Sequence, residues 1–290
     1  MNIAPSTIEP VNESDGEPTC IGHGGFGAVF LARYKGADVA VKCVKDLTVR
    51  DAAALFRKEY ALHLRLAASM DGICRIHGMC ESHPTFKTCF VMRRYKMSLL
   101  DEINEASDGG LPLIRVLRVG AGLAKTMASL HTACNLIVAD LKPSNVLIDE
   151  DGGAVISDFG VSRVVASTMG SFGLSASKVG GTYNIQSPEQ LEAEDEEGNP
   201  LRVTIQSDVW NFGCTMVHAL TGVSPWWNVA KHVPHTRAHV FKQVAMKRQA
   251  PPELALLDDE STPPELRELL TSCLRFEAPT RPRFFGAGES

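Results

Sequence analysis

The sequence predicts an α+β protein built as two lobes, a small strand-rich one followed by a larger, mainly helical one. Three observations carry that prediction. The first third holds alternating β-branched runs, AVFLARY (28–34) and ADVAVKCV (37–44). The remainder holds long stretches of helical periodicity, over 112–130 and 208–222. No regular alternation of strand and helix runs through the chain, which argues against a parallel sheet of βαβ units. A strand-rich lobe joined to a helical one implies a cleft where they meet.

Each element follows from local chemistry. Residues 1–19 are polar, acidic and proline-bearing, and are expected to form a flexible lead-in. The two alternating runs are joined by Lys35-Gly36, a hairpin signal. DAAALFRKEYALHLRLAAS (51–69) reads as a helix with Asp51 as its N-cap. Leu55, Glu59, Leu62 and Leu66 fall on one face of it. CRIHGMC (74–80) and TCFVMRRY (88–95) are further strands. A helix is expected from Pro112, which suits a first turn. NVLID and AVIS flank Glu150-Asp151-Gly152-Gly153, a short hairpin. EAEDEEGNP (192–200) reads as a solvated acidic loop. DVWNFGCTMVHALTG (208–222) is almost wholly apolar, so it should be a buried helix ending at Gly222. TPPELRELLTSCL (262–274) is amphipathic, with Thr262 as its expected cap.

Composition limits the function classes. Of 290 residues, 44% are hydrophobic and 22% charged, and the net charge of −5 advertises no nucleic-acid partner. The charge is uneven: residues 20–97 carry +7, which suits a small polyanionic ligand as readily as a basic surface. The eight cysteines form no CxxC pair and lie near no zinc-like His cluster. They read as small buried hydrophobes in a reducing compartment. No apolar run reaches the length of a membrane span. The opening 19 residues lack the basic start and apolar centre of a secretory leader. The expected location is the cytoplasm, with the nucleus as an alternative, and nothing specifies an oligomeric state.

Four stretches carry chemistry. IGHGGFGAVF contains Gly22, Gly24 and Gly27, spaced G-x-G-x-x-G. A dinucleotide-binding fold would place a helix after such glycines. Here a strand follows, so an oxidoreductase of that type is excluded and the loop folds back as a hairpin. Its N–H groups can approach phosphates with no Cβ in the way. The triplet alone reads better as a tight turn. In VAVK, Lys42 ends an apolar run, and its ammonium needs an anion. Glu59 lies on the apolar stripe of the following helix and needs a cation, so the two are expected to pair. DLKPSN supplies Asp140, able to accept a proton from a hydroxyl, and Lys142, able to neutralise a transferred group. Asn145 and, in SDFG, Asp158 are oxygen donors of the kind Mg²⁺ prefers. Phosphoryl transfer needs positioning and charge neutralisation more than covalent chemistry, and these groups supply both.

Taken together, these motifs resemble the catalytic domain of eukaryotic protein kinases over about residues 20–285. The resemblance implies a bilobal kinase fold: a β-rich N-lobe of about 20–92 with one helix, a hinge at 93–97 and a C-lobe at 98–290. It implies a nucleotide loop of Ile21, Gly22, His23, Gly24, Gly25, Phe26, Gly27, Ala28 and Val29. It assigns Lys42 and Glu59 as the phosphate-binding Lys and its partner, Asp140 as the base, and Asn145 and Asp158 as Mg²⁺ ligands. Val29, Ala40 and Leu147 would sandwich the adenine of ATP, with Met92 as gatekeeper. Ser187-Pro188-Glu189 stands for A-P-E, Arg281 for the cation that pairs with its Glu, and Asp208 for the family's buried Asp. Lys142 two residues after the base, with Thr182, resembles serine/threonine kinases, and the general look resembles their tyrosine-kinase-like group. The implied partner is a protein substrate presenting Ser or Thr.

Departures from the pattern matter as much. The family's His-Arg-Asp is here Val138-Ala139-Asp140. Without the Arg, activation is expected not to depend on phosphorylation within 161–186, including Thr182. Val138 keeps an apolar surface for Phe159 but loses a hydrogen bond worth ~1 kcal/mol. His63 replaces an apolar residue four positions after Glu59 and is expected to be a satisfied core histidine. The family usually has one more helix after Arg281. The damaged triad leaves a nucleotide-gated pseudokinase as the alternative to an active enzyme.

Overall fold

The computed structural model describes residues 1–24, 27–44, 52–107, 109–164, 183–192, 203–226, 240, 243–244, 247–257 and 262–285. The chain divides into two compact units, Met1–Lys96 with Ser157–Gly160, and Met97–Ile156 with Val161–Ser290. Residues 157–160 join the first unit although they lie within the stretch 98–290 that the sequence reading assigns to the larger lobe.

The first unit is an antiparallel sheet with one long helix. Strands β1 (Ile8–Pro10), β3 (Gly27–Tyr34), β4 (Ala37–Val44), β6 (Lys87–Arg93) and β5 (Ile76–His83) lie in that order, and β2 (Cys20–Gly24) also pairs with β3. The β3–β4 hairpin turns at Lys35 and Gly36, both at positive φ (53° and 80°), the geometry of a tight two-residue turn. Period-two alternation gives the sheet two different faces. Lys42 is the direct partner of Val29 and Phe90, and Ala40 is the partner of Met92. That face receives helix α1 (Ala52–Ser69): Phe56 and Tyr60 set their rings 5.0 and 5.8 Å from Phe90. On the other face Val39, Val41, Cys43, Cys80, Cys89 and Val91 form an apolar cluster with Ile3 and Ile8. Cys43, Cys89 and Cys80 are direct cross-strand neighbours, and all eight cysteines are free.

Two sequence expectations fail in this unit. Residues 1–19 are not a loose lead-in, because Ile3 and Ile8 are buried in the apolar cluster and the backbone pairs with the sheet. The buried face of α1 is Phe56, Glu59, Tyr60, His63, Leu66 and Ala67, while Leu55 is exposed and Leu62 half-buried. The apolar periodicity is right but rotated by one position, because the stripe includes polar members. The expected cap Asp51 lies outside the described residues.

The second unit is mainly helical. Helix α3 (Leu113–Thr132) packs against α5 (Ile205–Thr221), which is buried on nearly every side from Ser207 to Ala219. α5 ends at Gly222, at φ 66°, as its sequence predicts. Short α2 (Leu99–Glu105) opens with a reciprocal Ser98–Asp101 capping box, and α4 (Pro188–Leu191) with a Ser187–Gln190 box. A small sheet orders β10 (Ala154–Ile156), β9 (Val146–Ile148) and β7 (Met97–Ser98). β8 (Leu136–Ile137) pairs with β11 (Arg163–Val164). Helix α6 (Pro264–Cys273) packs on α5, but Thr262 does not cap it; Pro263 occupies the cap position and makes no side-chain bond. No described helix is long and apolar enough to cross a membrane.

Candidate active site

In the first unit the expected Lys–Glu pair forms. Lys42 Nζ donates to Glu59 Oε1 at 2.5 Å and to Asp158 Oδ1 at 3.1 Å. The strand fixes the Lys and the helix carries the Glu, both almost fully buried. Burial alone would lower the Lys42 pKa, but the Asp158 and Glu59 carboxylates overcome it and hold the ammonium charged well above its ordinary range. Burial lifts Glu59 to about 7, against the pull of Lys42, with the Asp158 carboxylate adding to the rise. Asp158 Oδ1 also accepts from the Gly160 N–H.

His63, one turn beyond Glu59, is only half satisfied. Its Nε2 lies 2.9 Å from the Cys74 carbonyl, to which only a ring N–H can donate, and its buried Nδ1 has no hydrogen-bond partner among the described residues. The ring meets Phe159 edge-on at 5.0 Å and Phe90 at 6.2 Å. Burial pushes its pKa down to about 4, so the imidazole is neutral.

Residues expected around a nucleotide are placed as follows. Gly22, His23 and Gly24 on β2 pair with Val29, Ala28 and Gly27 on β3, so the glycine run closes a hairpin as expected. Gly25 and Phe26 lie outside the described residues. Ile21 is exposed, whereas Ala40 and Met92 are buried. Val29, Ala40, Lys42 and Met92 share the sheet face on which Glu59 lies. Leu147 belongs to β9 of the second unit. Thr182, the other candidate phosphorylation sites at 167–177 and nearly all of the acidic loop lie outside the described residues.

In the second unit the polar loop forms a compact cluster. Lys142 Nζ donates to Asp140 Oδ2 at 2.7 Å. Asn145 Nδ2 donates to the same carboxylate at 3.1 Å and to the Asp140 carbonyl at 2.9 Å. A second layer holds the loop's backbone. Buried Asp208 on α5 accepts from the N–H groups of Val138 (Oδ2, 2.9 Å) and Ala139 (Oδ1, 2.7 Å). His131 Nε2 on α3 reaches the same carboxylate at 2.8 Å. Gln190 Nε2 donates to the Ala139 carbonyl at 2.7 Å, and Thr215 Oγ1 to the Leu141 carbonyl at 3.1 Å. Ala139 sits at φ 66°, a left-handed conformation costly for a residue with a Cβ. The sequence does not reveal His131, Gln190 or Thr215 as supports; a histidine on the buried stripe of α3 is the one available hint. Arg281 clamps Glu189 in bidentate fashion at 2.7 and 3.0 Å and lies 5.0 Å over the Trp210 ring. Burial opposes the Glu189 charge, but the Arg281 bonds prevail and hold its carboxyl below the usual range.

A β-sheet unit with a buried Lys–Glu–Asp cluster, and a helical unit with an Asp–Lys–Asn loop on a buried Asp, define a phosphotransferase-type catalytic domain. The chain belongs to the protein kinase domain family, which matches residues 17–287. It is 35% identical over 266 residues to the serine/threonine-protein kinase AfsK of Streptomyces coelicolor, covering 90% of this chain and 29% of that one. It is 30% identical over 284 residues to the E3 ubiquitin-protein ligase KEG of Arabidopsis thaliana, covering 90% of this chain and 17% of that protein. It is 26% identical over 284 residues to the serine/threonine-protein kinase mos of Gallus gallus, covering 90% and 75%. The chain thus spans well under half the length of the first two of these relatives.

Proposed function

We propose that this chain is an active kinase that transfers the γ-phosphate of ATP to Ser or Thr hydroxyls of protein substrates, with Mg²⁺. The observation that carries the reading is how the Asp140 loop is held. Asp208 grips Val138 and Ala139 through their backbone N–H groups, so the missing His and Arg side chains do not release the loop. That favours an active enzyme over a pseudokinase.

In this reading Asp140 accepts the hydroxyl proton as the oxygen attacks phosphorus and the bond to the β-phosphate oxygen breaks, releasing ADP. Lys142 holds the Asp140 carboxylate and carries charge toward the transferred group. Lys42, kept ionised by Glu59 and Asp158, offers its ammonium to phosphate oxygens. Val29, Ala40 and Met92 supply an apolar face for a base. The oxygen donors Asn145 and Asp158 suit Mg²⁺. Mg²⁺ when bound neutralises phosphate charge. The Ser/Thr assignment rests on Lys142, and the likeness to the serine/threonine-protein kinases AfsK and mos supports it.

The test is transfer of radiolabelled phosphate from ATP with Mg²⁺ to a Ser/Thr protein substrate. The native chain should show transfer, and Asp140→Asn should lose ~10²–10⁴-fold. Full turnover by that variant, or none by the native chain, overturns the reading.

A further inference from the structure

The first ten residues straddle the sheet from one edge to the other. At the β5 edge, Ile3 N–H donates to the Met79 carbonyl at 2.7 Å and Met79 N–H to the Met1 carbonyl at 3.0 Å. Residues 4–7 then make a 3-10 turn, and Ile8–Pro10 pairs with Ala32–Tyr34 at the opposite edge. Between these anchors Ile3 and Ile8 sink into the outer apolar cluster of the sheet. The sheet has features that fit this strap. His83 accepts the N–H groups of Thr85 and Phe86 on Nδ1, so its Nε2–H is left to donate to the Ile8 carbonyl at 3.1 Å. Gly78 lacks a Cβ where one would lie 2.7 Å from both the Met1 carbonyl oxygen and the Ile3 side chain.

The strap also reaches the other side of the unit. Tyr60 donates its hydroxyl to the Met1 carbonyl at 3.1 Å. Tyr60 follows Glu59 on α1, and its ring packs on Phe90, the direct strand partner of Lys42. A displacement of the strap therefore acts on the helix turn that presents Glu59 to Lys42. Backbone pairing at Met79 and at Ala32–Tyr34 secures the strap at both edges without this contact.

We propose that residues 1–10 are a positioning strap for helix α1, holding Glu59 against Lys42 through the Tyr60–Met1 contact, so that release of the strap lowers phosphotransfer. This rests on the kinase reading above. Side-chain burial and backbone pairing anchor the strap, and one phenolic hydroxyl transmits its position.

The experiment uses the full chain with Tyr60→Phe, Gly78→Val and the double variant. Amide hydrogen exchange is measured over residues 52–69, and kcat and KM for peptide phosphorylation are measured in parallel. Tyr60→Phe should lower kcat several-fold, and Gly78→Val by tenfold or more, with little change in the KM for peptide. Both should speed exchange in α1 but leave α3 and α5 unchanged. Adding Tyr60→Phe to Gly78→Val should have no further effect, because the contact is already lost. Unchanged α1 exchange in Tyr60→Phe, or effects of the two substitutions that multiply independently, overturns the proposal. A native chain without phosphotransfer, whose α1 exchange still responds non-additively, sinks the kinase reading and leaves the strap–helix coupling standing.

Discussion

The two polar clusters of this chain are held in place by opposite means. Around Lys42 the side chains hold one another: an ammonium and two carboxylates, largely buried, each fixed by the charge of its neighbours. Around Asp140 the backbone is held from beneath, by Asp208, Gln190 and Thr215, and the side chains of Asp140, Lys142 and Asn145 stand on that frame. In the first arrangement, loss of one charge leaves its partners uncompensated. The second tolerates Val138 and Ala139, because what it grips at those positions is peptide N–H and C=O. A family motif can therefore lose two of its side chains here and keep its geometry.

The largest effect expected from this contrast lies at Asp208. Asp208→Ala strands two backbone N–H groups, of buried Val138 and half-buried Ala139, and the buried His131 imidazole. At about 1–3 kcal/mol for each unsatisfied group, the loss is on the order of 5 kcal/mol. Thermal unfolding should show it, and Asp208→Asn, which keeps one carbonyl acceptor, should fall between. A melting point near native for Asp208→Ala would mean that the loop is held by something other than this carboxylate.

Lys42 comes next. Lys42→Met leaves Glu59 buried beside Asp158 with no cation between them, a cost of about 4 kcal/mol. Adding Glu59→Gln should restore much of the stability but none of the activity. Denaturant unfolding of the two single variants and the double variant measures the coupling. Simple additivity would contradict a mutually fixed cluster.

What was legible in the sequence follows the same division. The Lys42–Glu59 pair could be read because a buried charge must find an opposite one, and the apolar patterns around both residues announced burial. The β3–β4 and β9–β10 hairpins and the Gly222 cap were legible from turn chemistry. The strap was not, since its order comes from backbone pairing and two isoleucines inside an otherwise polar, acidic segment. The support beneath Asp140 was hidden for the same reason: Ala139 and Val138 give no side-chain sign that their N–H groups are held. The turn of α1 by one position was missed because Phe56, Tyr60 and His63 are buried members of the stripe that leucine periodicity passes over. His63 was expected to be satisfied, and a sequence has no means of showing that only one of its nitrogens is.

His63 gives the third prediction. Its pKa falls from 6.5 to about 4 on folding, chiefly by burial. The unfolded chain therefore binds a proton in that window that the folded chain refuses, and stability falls as pH drops from about 6.5 toward 4. The full cost is about 3 kcal/mol at the acid end. His218 in the helical unit, lowered to about 4 by burial, titrates in the same direction. His63→Leu should flatten the acid limb of the stability profile for the sheet unit and leave that of the helical unit as it was. Equal acid sensitivity in the variant would show that His63 is protonated without penalty.

The smallest expected effect sharpens the comparison most. Ala139 holds φ 66° while its N–H donates to Asp208 and its carbonyl accepts from Gln190. A left-handed alanine costs roughly 1–2 kcal/mol, and glycine removes that strain at a penalty in unfolded-chain entropy. Ala139→Gly should therefore be neutral to stabilising by about 1 kcal/mol, with phosphotransfer unchanged. Elsewhere in a buried loop the same substitution would be expected to destabilise. Lost activity in Ala139→Gly would mean that the methyl group itself contributes to the site. Retained activity with a raised melting point would mean that this position serves the catalytic loop through its backbone alone, which is why the chain can do without the arginine the family keeps there.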